Sequence, residues 1–569
     1  MKGMQDSVED KSGDMYTYNE DKNGKNIISG ALGRTGNRGN RDDNLNNNKE
    51  DIPLKENIDR LTDTVTIHID QSPPLYWMFF IVFAIIQVMI ILLIAFYYGW
   101  QEYYTKPKSI NENTPNDLTT IIPDSNGVTG AHVYKTIEHK YHLFQEVNIM
   151  IYFGFGFLRA FLKHYSWTGV ALTFIAGVLS TEFGLFMLLG WSAIFQMEWN
   201  YGQFNFQSLL DANLCSTAVI ISMGSILGKI SVPQYLILIL VETIGVTFHY
   251  TLMRQVLHII DIGGTLTIHL YGALFGATFS FLSYLSRSEK ERITESRHLG
   301  TNYYSNVFSI IGGLILITYW PAFNTCLLRD DLERPTTGET NIRVKYEAII
   351  NTYLAIIGSI IGSFSSSPLL NNGKLVLQDI LNSSFSGGIA IGGCCHLINH
   401  YWVSIIFGFF TGIMTPFLCN LISQKLLVNK YHDTANTLFY HGIPGFLGGI
   451  FTTIFVGNMP NILQGEKRKM KEYVYKYIGT FLNYYDNYEN ENEIYFPGYA
   501  GLHFLALFLT IIIAIACGFL AGFSIKFCNC NIALRYFNDS ENFDVTESDP
   551  FPWKNENIRL ELEYNPRNI

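Results

Sequence analysis

Between Leu75 and Phe527 the chain keeps returning to apolar runs of roughly twenty residues, each about long enough to cross a bilayer as a helix. That recurrence fixes the fold class as an all-α polytopic membrane protein with about twelve transmembrane helices. We place the spans near 75–98, 147–163, 167–191, 211–231, 233–256, 262–285, 304–328, 346–367, 376–397, 402–424, 437–457 and 500–527. The first run is too long for the apolar core of a signal peptide, so it reads as a first spanning helix. Three connections are long, at about 99–146, 329–345 and 458–499; the last contains GEKRKMKEYVYKY, expected to be a short solvated amphipathic helix. Residues 1–74 are dense in Asn, Asp, Lys and Gly and cannot bury enough apolar surface to fold alone, so a disordered polar tail is expected. The organisation is then 1–74 as N-terminal tail, 75–528 as transmembrane domain and 529–569 as polar C-terminal tail.

Charge and cysteines narrow the function classes. The net charge of −10 is spread over tails and loops. No basic cluster with interleaved aromatics argues for nucleic acid. Of the 8 cysteines, six lie in or beside apolar runs and read as small buried hydrophobes. Cys528 and Cys530, next to Lys526, are juxtamembrane and candidates for palmitoylation. No spacing suggests a metal site, no cofactor is expected, and no nucleophile–base constellation points to an enzyme. With the N-terminus inside, the very short loops on that side hold Lys163, Lys229, Arg287, Lys290, Arg292, Arg297, Lys374, Lys425 and Lys430. The shorter opposite loops hold only Arg329, Arg334 and Arg343, which favours N-inside, although the longer opposite loops are lysine-rich too. An even number of spans puts both termini in the cytoplasm.

Two stretches stand out inside the apolar runs. DIGGTLTIHLYGALFG, from Asp261, places His269 eight residues after the acid; DTANTLFYHGIPGFLGG, from Asp433, places His441 at the same interval. Gly272 and Gly276 follow the first histidine at helical spacing, Gly445 and Gly449 the second. An ionisable group in a membrane-length segment marks function, and matching segments in two halves mark an internal repeat with its site at the interface. With the first span set aside as an extra, spans two to six and seven to eleven form two five-helix repeats. Five is odd, so the repeats are inverted and enclose a pore between them. Eight residues of helix advance about 12 Å against a half-thickness of about 15 Å, so both histidines fall near the midplane from opposite faces.

The surrounding residues have structural readings to set beside the functional ones. The glycines permit close helix approach, and Pro444 should kink or loosen the helix beside His441. Asp261 and Asp433 sit where helices begin and read first as N-caps, with substrate contact as the alternative and Asp261 the better candidate for it. Phe323, in YWPAFNT, is bulky enough to plug a narrow pore or simply to pack, and FGFGF (Phe153–Phe157) reads as close helix packing. Two neutral imidazoles can share one proton, which suits a small molecule that both donates and accepts hydrogen bonds and can carry a proton. The pair is poorly suited to a strong anion or a transition metal.

Several stretches together resemble the Rhesus glycoprotein branch of the ammonium transporter family: FQEVNIMIYFGFGFL (Phe144–Leu158), GSILGKIS (Gly224–Ser231), DIGGTLTIHLYGALFG, YWPAFNT, INTY (Ile350–Tyr353), SGGIAIG (Ser386–Gly392) and HGIPGFLGGI. The matches keep their order over about residues 75–460. The resemblance implies a homotrimer in the plasma membrane, each subunit with its own hydrophobic pore. It implies His269 and His441 as the paired pore histidines, Asp261 as the family's acid, and Phe323 as one of two stacked outer-gate phenylalanines. Leu214 stands where the second gate phenylalanine is expected. His249 and Leu327 stand where bacterial and plant relatives have the tryptophan and serine of a cation-recruiting vestibule. Ammonium, deprotonated at the mouth and conducted as ammonia, is the substrate this implies, with methylammonium as a possible analogue. The alternatives are a CO2 or general gas channel, which an apolar pore also permits, and a non-transporting scaffold or sensor, against which the two retained histidines argue.

Overall fold

In lipid a helix is the geometry that closes every main-chain hydrogen bond within one run, and the apolar runs fold accordingly. The computed structural model describes residues 7–9, 15–20, 26–29, 73–100, 141–197, 202–204, 206–285, 300–328, 339–428, 432–458, 496–527, 539 and 543. The amphipathic helix expected within 458–499 and the palmitoylation candidates Cys528 and Cys530 lie outside these residues. So do most of the other two long connections.

The chain divides into two units, Met1–Leu75 and Tyr76–Ile569. In the first, β1 (Ser7–Glu9), β2 (Met15–Glu20) and β3 (Asn26–Ser29) pair antiparallel in sequence order, with Thr17 opposite both Ser7 and Ser29. The polar composition gave no strands here. The pairing is between neighbours in sequence, and Val8, Tyr16, Thr17, Tyr18, Ile27 and Ile28 are residue types that favour strands.

Helix α1 (Pro73–Tyr97) begins just before the boundary, and its apolar stretch Ile81–Phe96 belongs to the second unit. A short parallel pairing of β4 (Tyr98–Trp100) with β5 (Gly202–Phe204) is its only sheet among the described residues. A composite helix, α2 (149–161), runs as a π-helix over Ile149–Phe155, as α over Gly156–Leu158 and as a 3-10 turn over Arg159–Phe161. Then come α3 (Ser166–Gln196), α4 (Phe206–Ile226), α5 (Val232–Thr251), a π-helical segment Thr265–Leu270, and α6 (Tyr271–Leu285). The second half has α7 (Tyr303–Thr325), α8 (Glu339–Leu370), α9 (Leu377–Ser384), α10 (Ser386–Ile391), α11 (Tyr401–Val428), a π-helical segment Leu438–Gly442, and α12 (Ile443–Gly457). α13 (Phe496–Phe527) closes the bundle. Among the described residues, 9 helices are long and apolar enough to cross a membrane. The packing repeats between the halves, α3 against α5 in the first and α8 against α11 in the second.

The run at 376–397 is not the single helix its hydropathy suggests. It breaks at Phe385 (φ −97°, ψ −1°) and gives way to turns after Ile391. Its glycines take the chain into contacts no side chain allows. A Cβ on Gly387 would lie 2.3 Å from the Ala355 carbonyl oxygen, and one on Gly388 would lie 2.6 Å from the Trp320 ring. Main-chain groups released by the break find partners elsewhere: Asn324 Nδ2 donates to Gly388 O at 2.9 Å, and Asn351 Nδ2 donates to Cys395 O (2.9 Å) and Ile398 O (2.8 Å). These carbonyls are paired that way, which is what a membrane interior demands.

One cap comes from far away in sequence. The α3 N-terminus has no side-chain cap of its own, and Asp539 supplies one. Its Oδ1 accepts from Thr168 N and Oγ1, both at 2.8 Å, and its Oδ2 accepts from Trp167 N at 3.2 Å. Its own N–H donates to His164 O at 2.9 Å, while Phe543 sets its ring edge-on to Trp167. Burial pushes the Asp539 carboxyl upward, and its bonds to Thr168 and Trp167 pull it back.

Candidate functional site

The two acid-to-histidine stretches fold the same way. Three residues after each acid the backbone turns left-handed, at Gly264 (φ 66°) and at Asn436 (φ 51°), residue types that tolerate this conformation. In both, that residue's N–H returns to the acid's own carbonyl, Gly264 to Asp261 at 3.3 Å and Asn436 to Asp433 at 3.2 Å. The carboxylate then caps the helix that follows. Asp261 Oδ2 accepts from Leu266 N (3.0 Å), Thr267 N (2.8 Å) and Thr267 Oγ1 (2.9 Å), and Asp433 Oδ2 accepts from Leu438 N (2.8 Å). Asp261 precedes the spanning segment Thr265–Ser283; burial pushes its carboxyl upward, and the donors of Thr267 and Leu266 pull it back. Both acids therefore sit as caps.

Each histidine lies in a π-helical stretch, a geometry that recurs at functional sites because one extra residue per turn re-aims side chains. His441 Nδ1 and His269 Nδ1 are 3.3 Å apart, with ring centroids 5.5 Å apart and planes inclined by 17°. The pair is buried, at 3% and 0% exposure. One Nδ1 donates to the other, so a single proton is shared and the outward nitrogens differ: one Nε2 accepts, the other donates. His269 Nε2 has no protein partner.

Close backbone packing holds the two segments together. A Cβ on Gly272 would stand 2.5 Å from Ala218 O, one on Gly276 2.5 Å from Ser222 O, and one on Gly448 2.4 Å from Ala390 O. Thr265 Oγ1 donates to Ile389 O and accepts from Gly393 N, each at 2.8 Å, and Gly263 N donates to Gly392 O at 3.0 Å. The broken α9–α10 run thus fixes the start of the His269 segment. On the other side, Lys229 Nζ donates to Ser225 O (2.6 Å), Ser280 Oγ (2.6 Å) and His432 O (2.5 Å), tying the residue before Asp433 to α4 and α6. Buried Arg159 reaches Ile220 O and Ile221 O over Gly224, where any Cβ would collide with its guanidinium. The GSILGKIS stretch therefore seats the second acid. Pro444 lies where the π-helical Leu438–Gly442 passes into α12, one continuous span from Leu438 to Gly457.

Aromatic rings wall the pair. Trp320 stacks on His269 at 5.5 Å and on Phe385 at 5.1 Å; Phe385 lies 5.4 Å and Phe155 6.0 Å from His441. Phe323 is 5.9 Å from His269. The sequence pointed to Phe323 alone. Trp320 had a usable signal, since three residues before Phe323 shares its helix face; Phe155 lies in FGFGF, which read as close helix packing, and Phe385 had no signal, because only the fold brings it near. Leu214 and Leu327 are buried in the same apolar cluster as Phe323. His249 makes its contacts elsewhere, stacking on Tyr271 at 5.0 Å and bonding through Nε2 to Thr510 Oγ1 at 3.0 Å. No group of three or more metal-ligating side chains occurs among the described residues.

A polytopic helical membrane protein with a proton-sharing histidine pair in an aromatic enclosure is the class defined by this fold and site. A model of the Ammonium Transporter Family matches residues 124–548, and the chain belongs to that family, on its Rhesus branch. It is 30% identical to Ammonium transporter Rh type A of Canis lupus familiaris over 343 residues, 59% of this chain and 76% of that protein. It is 33% identical to Ammonium transporter Rh type C of Xenopus laevis over 318 residues, 55% of this chain and 62% of the other. The solved structure of Nitrosomonas europaea Rh50 superposes with a TM-score of 0.58 at 21% identity, over 77% of this chain and all of that one (100%), a likeness of fold.

Proposed function

We propose that this protein transports ammonium or ammonia across a membrane, releasing a proton at the pore mouth and conducting neutral ammonia past His269 and His441. The observation that carries this reading is the Nδ1–Nδ1 contact of 3.3 Å between two fully enclosed imidazoles. Ammonia needs both an acceptor for its N–H groups and a donor for its lone pair, and the outward nitrogens of such a pair supply one of each. An ammonium ion entering an apolar, water-poor enclosure loses several kcal/mol of hydration, which neutral ammonia avoids. The rings of Trp320, Phe323, Phe385 and Phe155 make that enclosure. Phe323 and Leu214 form the outer constriction in this reading, and His249 and Leu327 stand behind the vestibule. Asp261 and Asp433 act by holding the histidine segments rather than by touching substrate.

The assembly is a homotrimer in the plasma membrane with both termini cytoplasmic. Exposed apolar side chains on α7 (Phe308, Ile311, Leu314) and α11 (Ile405, Ile406, Phe409, Phe410) support a surface covered by lipid and by neighbouring subunits. Stopped-flow ammonia permeability of proteoliposomes, with methylammonium uptake alongside, tests the function. His269→Ala and His441→Ala are expected to change flux or selectivity by roughly tenfold or more, with assembly intact by native mass measurement. Unchanged transport in both variants removes the pair from the mechanism.

A further inference from the structure

Among the described residues outside the pore, the buried acid Glu242 is unexplained. Glu242 lies midway along α5, in the spanning segment Val232–Val256, at 0% exposure. An acid at that depth without a cation is costly as an anion. The groups that face it are Ser222 from α4, Tyr271 from α6 and Cys517 from α13; α3 presents Ser180 to the neighbouring Thr243. None of these is basic.

The hydrogen bonds can be counted by protons. Ser222 Oγ is 2.8 Å from Val219 O and 2.6 Å from Glu242 Oε2. A serine hydroxyl has one proton to give, and a main-chain carbonyl has none. With that proton on Val219 O, the short contact to Glu242 takes its proton from the carboxyl, so both contacts are satisfied when Glu242 is a neutral acid. Its other oxygen, Oε1, has no hydrogen-bond partner. A bare carbonyl oxygen is a small cost in an apolar interior, whereas half of a bare carboxylate is a large one. Room for the cluster comes from Gly245, where a Cβ would lie 2.6 Å from the Tyr271 hydroxyl and 3.0 Å from Cys517 Sγ.

We propose that Glu242 is a proton-binding site separate from the histidine pore, holding a carboxylic acid proton in the seam of α4, α5, α6 and α13, and that its charge state is coupled to transport through Tyr271. The coupling rests on the transport reading above and has a short path. Tyr271 is two residues beyond His269 and stacks on His249. Once ionised, Glu242 draws on the nearest O–H or S–H donors, Tyr271 and Cys517. Pulling Tyr271 shifts the segment whose packing aims His269.

The test uses the full-length protein in proteoliposomes and Glu242→Gln, which keeps the shape of the neutral acid. In the infrared spectrum at neutral pH, the wild type is expected to carry a protonated-carboxyl stretch that Glu242→Gln lacks; identical spectra overturn the proposal. Dicyclohexylcarbodiimide supplies the second readout. The acid O–H adds across one C=N bond to give an O-acylisourea, which rearranges to the N-acylurea with nothing lost. Peptide mass analysis should find that adduct on Glu242 and not on the variant. Labelling should cut wild-type ammonia flux by about tenfold, as a wedge in a packed seam would, and spare the variant. Inhibition of both proteins alike, or of neither once Glu242 is labelled, overturns the coupling. Absence of ammonia flux from both untreated proteins fails the transport reading instead, and the infrared comparison still decides the proton.

Discussion

Asp261 allows a cap to be distinguished from a substrate ligand. Its carboxylate accepts from Leu266 N, Thr267 N and Thr267 Oγ1 at 2.8–3.0 Å, and its side chain is buried at 7% exposure. Asp261→Ala leaves three buried donors, of which the Thr267 hydroxyl can rotate to another acceptor while the two amides cannot. At about 1–3 kcal/mol for each stranded donor, the loss is about 2–6 kcal/mol. Asp261→Asn keeps one acceptor oxygen in the same place and forfeits the charge-assisted part, so its loss is about 1–2 kcal/mol. Thermal unfolding followed by fluorescence-detected size exclusion should rank wild type, Asn and Ala in that order. Ammonia flux per amount of folded protein should stay near wild type in Asp261→Asn. Two results refute the reasoning. An Ala variant as stable as wild type means the carboxylate is no cap, and an Asn variant that is stable yet as inactive as Ala means the charge itself meets the cation.

Three further outcomes follow from the packing. Leu214→Phe adds bulk at the outer constriction proposed above and is expected to lower the methylammonium-to-ammonia transport ratio by about tenfold, the discrimination a single methyl group commonly yields in a tight apolar site. Gly272→Ala, whose Cβ would stand 2.5 Å from Ala218 O, should cost about 1–3 kcal/mol by forcing α6 from α4, read as a lower unfolding temperature in detergent. Asp539→Ala removes the acceptor for Trp167 N and Thr168 N and should weaken tail docking by about 1 kcal/mol, seen as faster proteolytic cleavage after α13 with pore stability unchanged.

Much of this architecture is legible in one chain because lipid imposes length and apolarity on every crossing. The histidine pair is legible for a different reason: Asp261–His269 and Asp433–His441 are the same turn written twice, and an odd number of spans inverts the second copy. Legibility ends where backbone geometry replaces hydropathy. SGGIAIGG is as apolar as its neighbours, yet its glycines let it leave the helix and bond to Asn324 and Thr265. Phe155, in a stretch that reads as helix packing, and Phe385, at the break between α9 and α10, become walls of the site only through long-range packing. Glu242 lies in an apolar run whose single acid did not stand out, and Asp539 caps a helix begun at Ser166, which no local pattern reveals.

The π-helical segments that carry the histidines have a consequence for length rather than for composition. Each opens its helix with about one more residue per turn than an α-helix holds. Deleting a single residue from Thr265–Leu270 would let that stretch relax to α and rotate everything on one side of the deletion by about 100°. With Asp261 clamped at one end and Gly272 wedged against α4 at the other, that rotation would fall on His269 itself. Deleting any one residue of Thr265–Leu270 other than His269 should therefore be as damaging to the pair as replacing a histidine, while leaving every ring and every charge in the chain.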